Sequence, residues 1–128
     1  QGELRHAPSH IIDIAPTCLS AAGLLVKGME GKSLLPVFVR DSKEERTLYW
    51  EHEGNRAVRK GNYKLVAMHD APWELYDMNK DRSELNDLSK KMMGKAKELR
   101  LLYEAWAKRV GALSWNEVMV TRKKKIKK

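Results

Sequence analysis

Between Thr47 and Asp77 the chain is cut by turn-forming residues into pieces too short for helices, and this constrains the fold more than any other feature. Side chains alternate along a strand, so Leu48, Trp50 and His52 share one face and Tyr49 and Glu51 the other. Lys60-Gly61-Asn62 carries the turn chemistry of a hairpin joining Ala57-Val58-Arg59 to the run from Tyr63 to Met68. His69 to Pro72 reads as a second turn and Trp73 to Asp77 as a further strand. The spacing predicts a small antiparallel sheet of about four strands.

A sheet of that size needs a partner for its apolar face. Met92, Ala96, Leu99, Leu102, Tyr103, Trp106 and Val110 repeat at three- and four-residue steps, the stripe of a long amphipathic helix lying on the sheet, with Gly111 ending it. Upstream, Ile11, Ile14, Ala15, Cys18, Leu19 and Ala22 give a second helical pattern, stopped at Gly23. Pro16 is tolerated there only in the first turn, where amides lack intrahelical partners, and Asp13 is placed to cap them. Residues 24 to 41, broken by Gly28, Gly31 and Pro36, read as an irregular connection with one short turn at Ser33 to Phe38. Asn79 to Ser89 is a polar loop. The fold class is therefore α+β: an N-terminal helix, a small antiparallel sheet and a long helix packed on it.

At 128 residues the chain has length for one domain. Its net charge of +8 is concentrated at the end, where Arg122, Lys123, Lys124, Lys125, Lys127 and Lys128 leave the rest at only +2. A like-charge terminal run is expected as a solvated, disordered tail, the alternative being a patch for an anionic partner. Cys18 is the only cysteine, so no disulfide forms within the chain, and it is expected to pack as a small hydrophobe. No apolar run reaches the roughly 20 residues of a membrane-spanning helix.

Chemistry-bearing constellations are few. His6 and His10 have the four-residue spacing of two metal ligands on a helix, but Pro8 between them breaks the shared face, and ordinary polar contacts are expected instead. Ser9, Ser20, Ser33 and Cys18 lie in no nucleophile motif. His52, Glu53, Asn55 and Arg56 crowd a strand end and turn. Arg offers paired donors to a sulfate or carboxylate, so His52, Asn55 and Arg56 are candidate substrate-binding residues; the competing reading is a solvated hairpin whose Arg and Glu pair with each other.

Four motifs in order resemble the C-terminal region of the arylsulfatase family, the formylglycine-dependent sulfatases. Asp13-Ile14-Ala15-Pro16-Thr17 is similar to an Asp-x-x-Pro-Thr segment, and Gly31-Lys32-Ser33-Leu34-Leu35-Pro36 to the Gly-x-Ser-Leu-x-Pro that follows. Trp50-Glu51 through Gly54, Arg56-Ala57 and Arg59, leading to Gly61 and Lys64-Leu65, resembles the next run, and Trp73-Glu74-Leu75-Tyr76-Asp77 the last. The likeness extends from about Leu4 to Trp115. It implies the C-terminal subdomain of an alkaline-phosphatase-like sulfatase fold. The parent would be an exported sulfuric ester hydrolase in which a Cys or Ser of a Cys/Ser-x-Pro-x-Arg motif matures to formylglycine and calcium stabilises charge on the sulfate. That motif does not occur around Cys18, which Leu19-Ser20-Ala21 follow.

The resemblance thus implies residues 1–41 as the end of the large catalytic domain and its connection, 42–115 as the small subdomain, and 116–128 as the basic tail. With no initiator Met at its start, the chain is expected to be a piece of a longer polypeptide, with no catalytic residue, metal or cofactor of its own. Its partners would be the upstream catalytic domain and a sulfated small molecule or glycan. The alternative is a free-standing basic module for an anionic polymer, nucleic acid or sulfated glycan. A third expectation is that the first helix, deprived of the large domain, leaves its apolar face bare.

Overall fold

A computed structural model describes residues 2–42 and 44–126. The chain forms two compact units, Gln1–Arg46 and Thr47–Lys128, dividing a few residues beyond the boundary expected from the sequence.

The first unit contains a 3-10 turn at Ile11–Asp13, helix α1 at Ile14–Ala21 and helix α2 at Leu35–Val39. Helix α2 falls within the connection, on the short turn expected there. Pro16 sits in the first turn of α1, and Gly23, at φ 72°, ends the helix with its amide on the Ser20 carbonyl and that of Leu24 on the Leu19 carbonyl. Asp13, however, does not cap α1. Its carboxylate turns back to accept the His10 amide at 2.8 Å, while His10 Nδ1 accepts the Ile12 amide, a reciprocal cap of the 3-10 turn. The same carboxylate accepts the Lys32 amide at 3.0 Å and both terminal nitrogens of Arg46 at 2.7 and 2.9 Å. Asp13 is fully buried, and this four-donor cage is what permits a carboxylate there. Burial works to raise its pKa, but the Arg46 guanidinium and the two amides outweigh it and hold the carboxyl below the ordinary range. Gly31 is equally constrained, since a Cβ there would stand 1.9 Å from the Ile12 carbonyl oxygen.

Apolar burial contributes little to this unit: Ile11, Ile14, Leu24, Leu25, Phe38 and Val39 are all more than half exposed. Cys18 is exposed too, contrary to the expectation that it packs as a small hydrophobe. His6 is not helical and His10 is a cap, so the two share no helix face.

The second unit is built on strands β1 (Thr47–His52), β2 (Asn55–Lys60), β3 (Tyr63–Ala67) and β4 (Glu74–Asp77), all antiparallel in the order β1-β2-β3-β4. Glu53 and Gly54, both at positive φ, make the β1–β2 turn, and Gly61-Asn62 the next. Tyr49 pairs with Val58, Val58 with Leu65 and Leu65 with Leu75, so these residues form a row across one face. Helix α3 (Met93–Val110) lies on that row. Val58, Leu65 and Leu75 meet Leu99 and Tyr103 in a buried core, and Tyr49 stacks on Trp106 with ring centroids 4.9 Å apart. The loop after β4 covers its open edge, Asp87 accepting the Leu75 amide and Leu88 donating to the Leu75 carbonyl. Left-handed Gly111, at φ 70°, ends α3.

The expected disordered tail is instead helical over its described part: α4 runs Trp115–Ile126. Ser114 supplies the reason. Its Oγ accepts the Glu117 amide while the Glu117 carboxylate accepts the Ser114 amide and hydroxyl, a capping box that starts a helix. Lys127 and Lys128 lie outside the described residues.

Candidate functional site

In the second unit a cleft of about 320 Å³ opens where the β1–β2 turn, the loop after β3 and the α3–α4 junction meet. Strand alternation decides which of the candidate residues reach it. Arg56 pairs with Glu51 and Ala67 on the helix-facing side and enters the cleft. His52 and Asn55, paired with each other, belong to the opposite pleat. Asn55 instead holds the turn: its Nδ2 donates to the His52 carbonyl at 3.0 Å and its Oδ1 accepts the His69 amide at 3.0 Å. His52 is exposed and does not line the cleft.

The Arg56 guanidinium lies over the Trp73 ring, 4.8 Å from its centroid, and Trp73 meets Tyr103 edge-on at 5.4 Å. Stacking fixes the plane of the fork. Its Nε is buried and has no hydrogen-bond partner among the described residues, which is costly for a donor unless something in the cleft accepts it. Around it stand Glu51, whose Oε1 accepts the Gly54 amide at 3.0 Å, and His69, whose Nε2 lies 3.3 Å from the Asp70 carboxylate. Tyr103 keeps its proton. Burial raises its pKa, the Glu51 charge adds to that, and Arg56 pulls the other way.

Gly54 makes the crowding possible. At φ 85°, a Cβ there would lie 2.7 Å from His69 Nδ1 and 3.0 Å from the Trp115 Cβ. His69, Trp115 and Asn116 also line the cleft, and no motif around Arg56 points to them. Ser114-Trp115-Asn116-Glu117 was the available signal, since the capping box marks a helix start and brings Trp115 back to the body of the unit.

A larger crevice of about 430 Å³ lies in the first unit, beside Lys32, Asp41, Glu44 and Arg46. Most of its charges are engaged, Lys32 with Glu44, Arg46 with Asp13, and Asp41 with the His6 and Ala7 amides, while Arg40 lies exposed at its rim. The cleft at Arg56 is the better candidate because its guanidinium is held in place by stacking on Trp73, with a buried Nε that has no partner among the described residues. Among the described residues no group of three or more His, Cys, Asp or Glu is arranged to hold a metal ion.

Residues 5–109 match the family model for the C-terminal domain of N-sulphoglucosamine sulphohydrolase. The chain belongs to this sulfatase family. It is 34% identical over 115 residues to an uncharacterized sulfatase of Schizosaccharomyces pombe, the match covering 74% of this chain and 21% of that protein. It is 32% identical over 121 residues to an N-acetylglucosamine-6-O-sulfatase of Bacteroides thetaiotaomicron, covering 80% and 22%. A solved 2-O GAG sulfatase superposes with a TM-score of 0.61 at 29% identity, over 78% of this chain and 25% of that one. The helices and four-stranded antiparallel sheet are those of a sulfatase C-terminal subdomain, in the alkaline-phosphatase-like fold. The chain spans about a fifth of the length of the curated relatives it matches. All of α4 lies beyond the matched residues.

Proposed function

We propose that this sulfatase C-terminal domain serves a sulfuric ester hydrolase by walling one side of its substrate cleft, with Arg56 gripping an anionic group of the sulfated substrate. The observation that carries this reading is the Arg56 fork, stacked on Trp73 and left with an unpartnered, buried Nε at the edge of a cleft. A planar guanidinium held in this way suits the oxygens of a sulfate or carboxylate. Family membership supplies the reaction class. The relatives' names, one an N-acetylglucosamine-6-O-sulfatase and another a 2-O GAG sulfatase, favour a sulfated sugar.

In this reading the formylglycine nucleophile and calcium belong to a catalytic domain upstream in the same polypeptide. No step of the reaction is assigned to the residues of this chain. Asn55 positions the turn and, through the His69 amide, the cleft wall; His52 is left on the outer side.

The test is Arg56→Ala in the complete enzyme, with turnover of a monosulfated glucosamine measured. Loss of a charge-assisted hydrogen bond worth about 1.5–3 kcal/mol predicts a fall in kcat/KM of roughly 10- to 150-fold. Arg56→Lys should recover part of it, because the charge returns without the fork. Unchanged kinetics in both variants would remove Arg56 from substrate binding. The 128-residue chain by itself is expected neither to hydrolyse sulfate esters nor to bind calcium tightly. A second reading, a module that binds anionic polymers without an attached catalytic domain, draws on the basic run at the end of the sequence. It predicts a native product of 14.8 kDa, where the enzyme reading predicts a much larger one.

A further inference from the structure

One wall of the cleft at Arg56 is built by residues 112–116, all of which line it and all of which lie beyond the matched residues 5–109. This junction between α3 and α4 is held at both ends. Gly111, in the left-handed region, turns the chain out of α3, and the Ala112 amide donates back to the Ala107 carbonyl at 2.9 Å. Beyond it the Ser114 and Glu117 cap starts α4, and the Val118 amide donates to the Ser114 carbonyl at 3.1 Å. Trp115 is half-buried, and the missing side chain of Gly54 lets its Cβ come close to the β1–β2 turn. A wall fixed in this way presents its side chains in set positions, which a selective contact requires.

The ionisable groups of the cleft, Glu51, Arg56, His69, Asp70 and Tyr103, all come from the matched domain, whereas the junction brings none. What the junction recognises is therefore uncharged. The Ser114 hydroxyl is committed to the Glu117 carboxylate. Asn116 is exposed, and its side-chain amide makes no hydrogen bond among the described residues, so that both donors and the acceptor remain available at the cleft. From this placement we infer that Asn116 is a specificity-determining residue, its amide bonding a neutral hydroxyl or amide on the same molecule whose anionic group Arg56 grips. The inference rests on the proposed role of Arg56 and adds to it the uncharged half of recognition. An anion grip alone accepts any sulfate ester, while an amide beside it separates a substrate that carries the matching polar group from one that lacks it. At about 320 Å³ the cleft is small for a ligand pocket, so both groups belong to one small unit of the substrate.

The experiment uses Asn116→Ala in the complete enzyme with two substrates, a monosulfated glucosamine, which carries free hydroxyls, and phenyl sulfate, whose ring carries neither hydroxyl nor amide. The substitution falls on an exposed residue in the first turn of α4 and leaves the Ser114 and Glu117 cap and Trp115 in place. We expect KM for the sulfated glucosamine to rise about 3- to 10-fold with kcat held, the size of one neutral hydrogen bond made alike in ground and transition states, and the kinetics on phenyl sulfate to stay as in the wild type. An equal change on both substrates would mean a general disturbance of the cleft and would overturn the inference, as would no change on either. Arg56→Ala should weaken both substrates together. Wild-type kinetics in that variant would sink the proposed role of Arg56, whereas a loss confined to the sulfated glucosamine in Asn116→Ala would still stand.

Discussion

The two compact units are held together by opposite means. Residues 47–128 are organised around apolar contact: Val58, Leu65, Leu75 and Leu99 are fully buried, and aromatic rings extend the same contact to both sides. Among the described residues of 1–46 there is no comparable centre, and the fully buried side chains there are Pro16 and the Asp13 carboxylate. The chain there is stitched by polar bonds of long reach: Asp13 to Lys32 and Arg46, Leu34 to Thr17, and Arg5 to the carbonyls that end α2. Apolar burial tolerates sliding and repacking, whereas a caged charge does not. The first unit should therefore be the more brittle, failing abruptly when one partner is lost.

Arg46→Met tests this most severely. It strands a buried carboxylate and should cost about 3–5 kcal/mol locally. Amide exchange at His10 and Lys32, read by NMR, should accelerate, and protection retained at wild-type levels would contradict the cage. Leu99→Ala is the matching blow to the other unit, worth about 2–5 kcal/mol through lost burial and the cavity left behind. All four tryptophans, Trp50, Trp73, Trp106 and Trp115, lie in residues 47–128, so their fluorescence reports denaturation of that unit alone. A midpoint that does not move on Leu99→Ala would show that the core is not what holds the sheet to α3.

Gly54→Ala should be smaller, about 1–3 kcal/mol from the positive φ. Its more telling sign is a changed Trp115 emission, because the added methyl group pushes against His69 and Trp115. Acid separates the units without mutation. The folded pKa of Asp13 lies below its unfolded value of about 3.9, so its stabilisation is complete above that value and is lost as pH falls through the folded pKa. Between neutrality and pH 4 the His10 and Lys32 amides should stay protected. Below that they should open while tryptophan fluorescence still reports a folded sheet, and simultaneous loss of both signals would erase the distinction. Smallest of all is Lys60→Ala, which removes a half-exposed ion pair with Glu98 worth less than about 1 kcal/mol, a shift best resolved by denaturant titration.

The second unit was the more legible in the sequence for the same reason. Tyr49, Val58, Leu65 and the α3 stripe announce themselves by period, because apolar burial is written in the spacing of side chains. The cage around Asp13 has no period. Its donors come from positions 10, 32 and 46, and an Asp just before a helix suggests a cap, a role that the nearer claim of Arg46 overrides. At the candidate site, alternation alone could have parted Arg56 from His52 and Asn55, since they sit on opposite pleats. His69 and Trp115 were beyond that logic, being brought to Arg56 by a loop and by the turn between two helices. A run of like charges argued for disorder in the tail, yet the Ser114 and Glu117 box three residues apart was in plain view.

Because every strand pairs with its neighbour in the chain, the sheet can close in the order in which it is made, and pairing of this local kind is fast. Helix α3, which covers the row of Tyr49, Val58, Leu65 and Leu75, is encoded only after the last strand. During synthesis the finished sheet must therefore wait with that row uncovered until Leu99 and Tyr103 leave the ribosome, an interval in which a nascent chain stalled near Met92 would be a natural client for a chaperone.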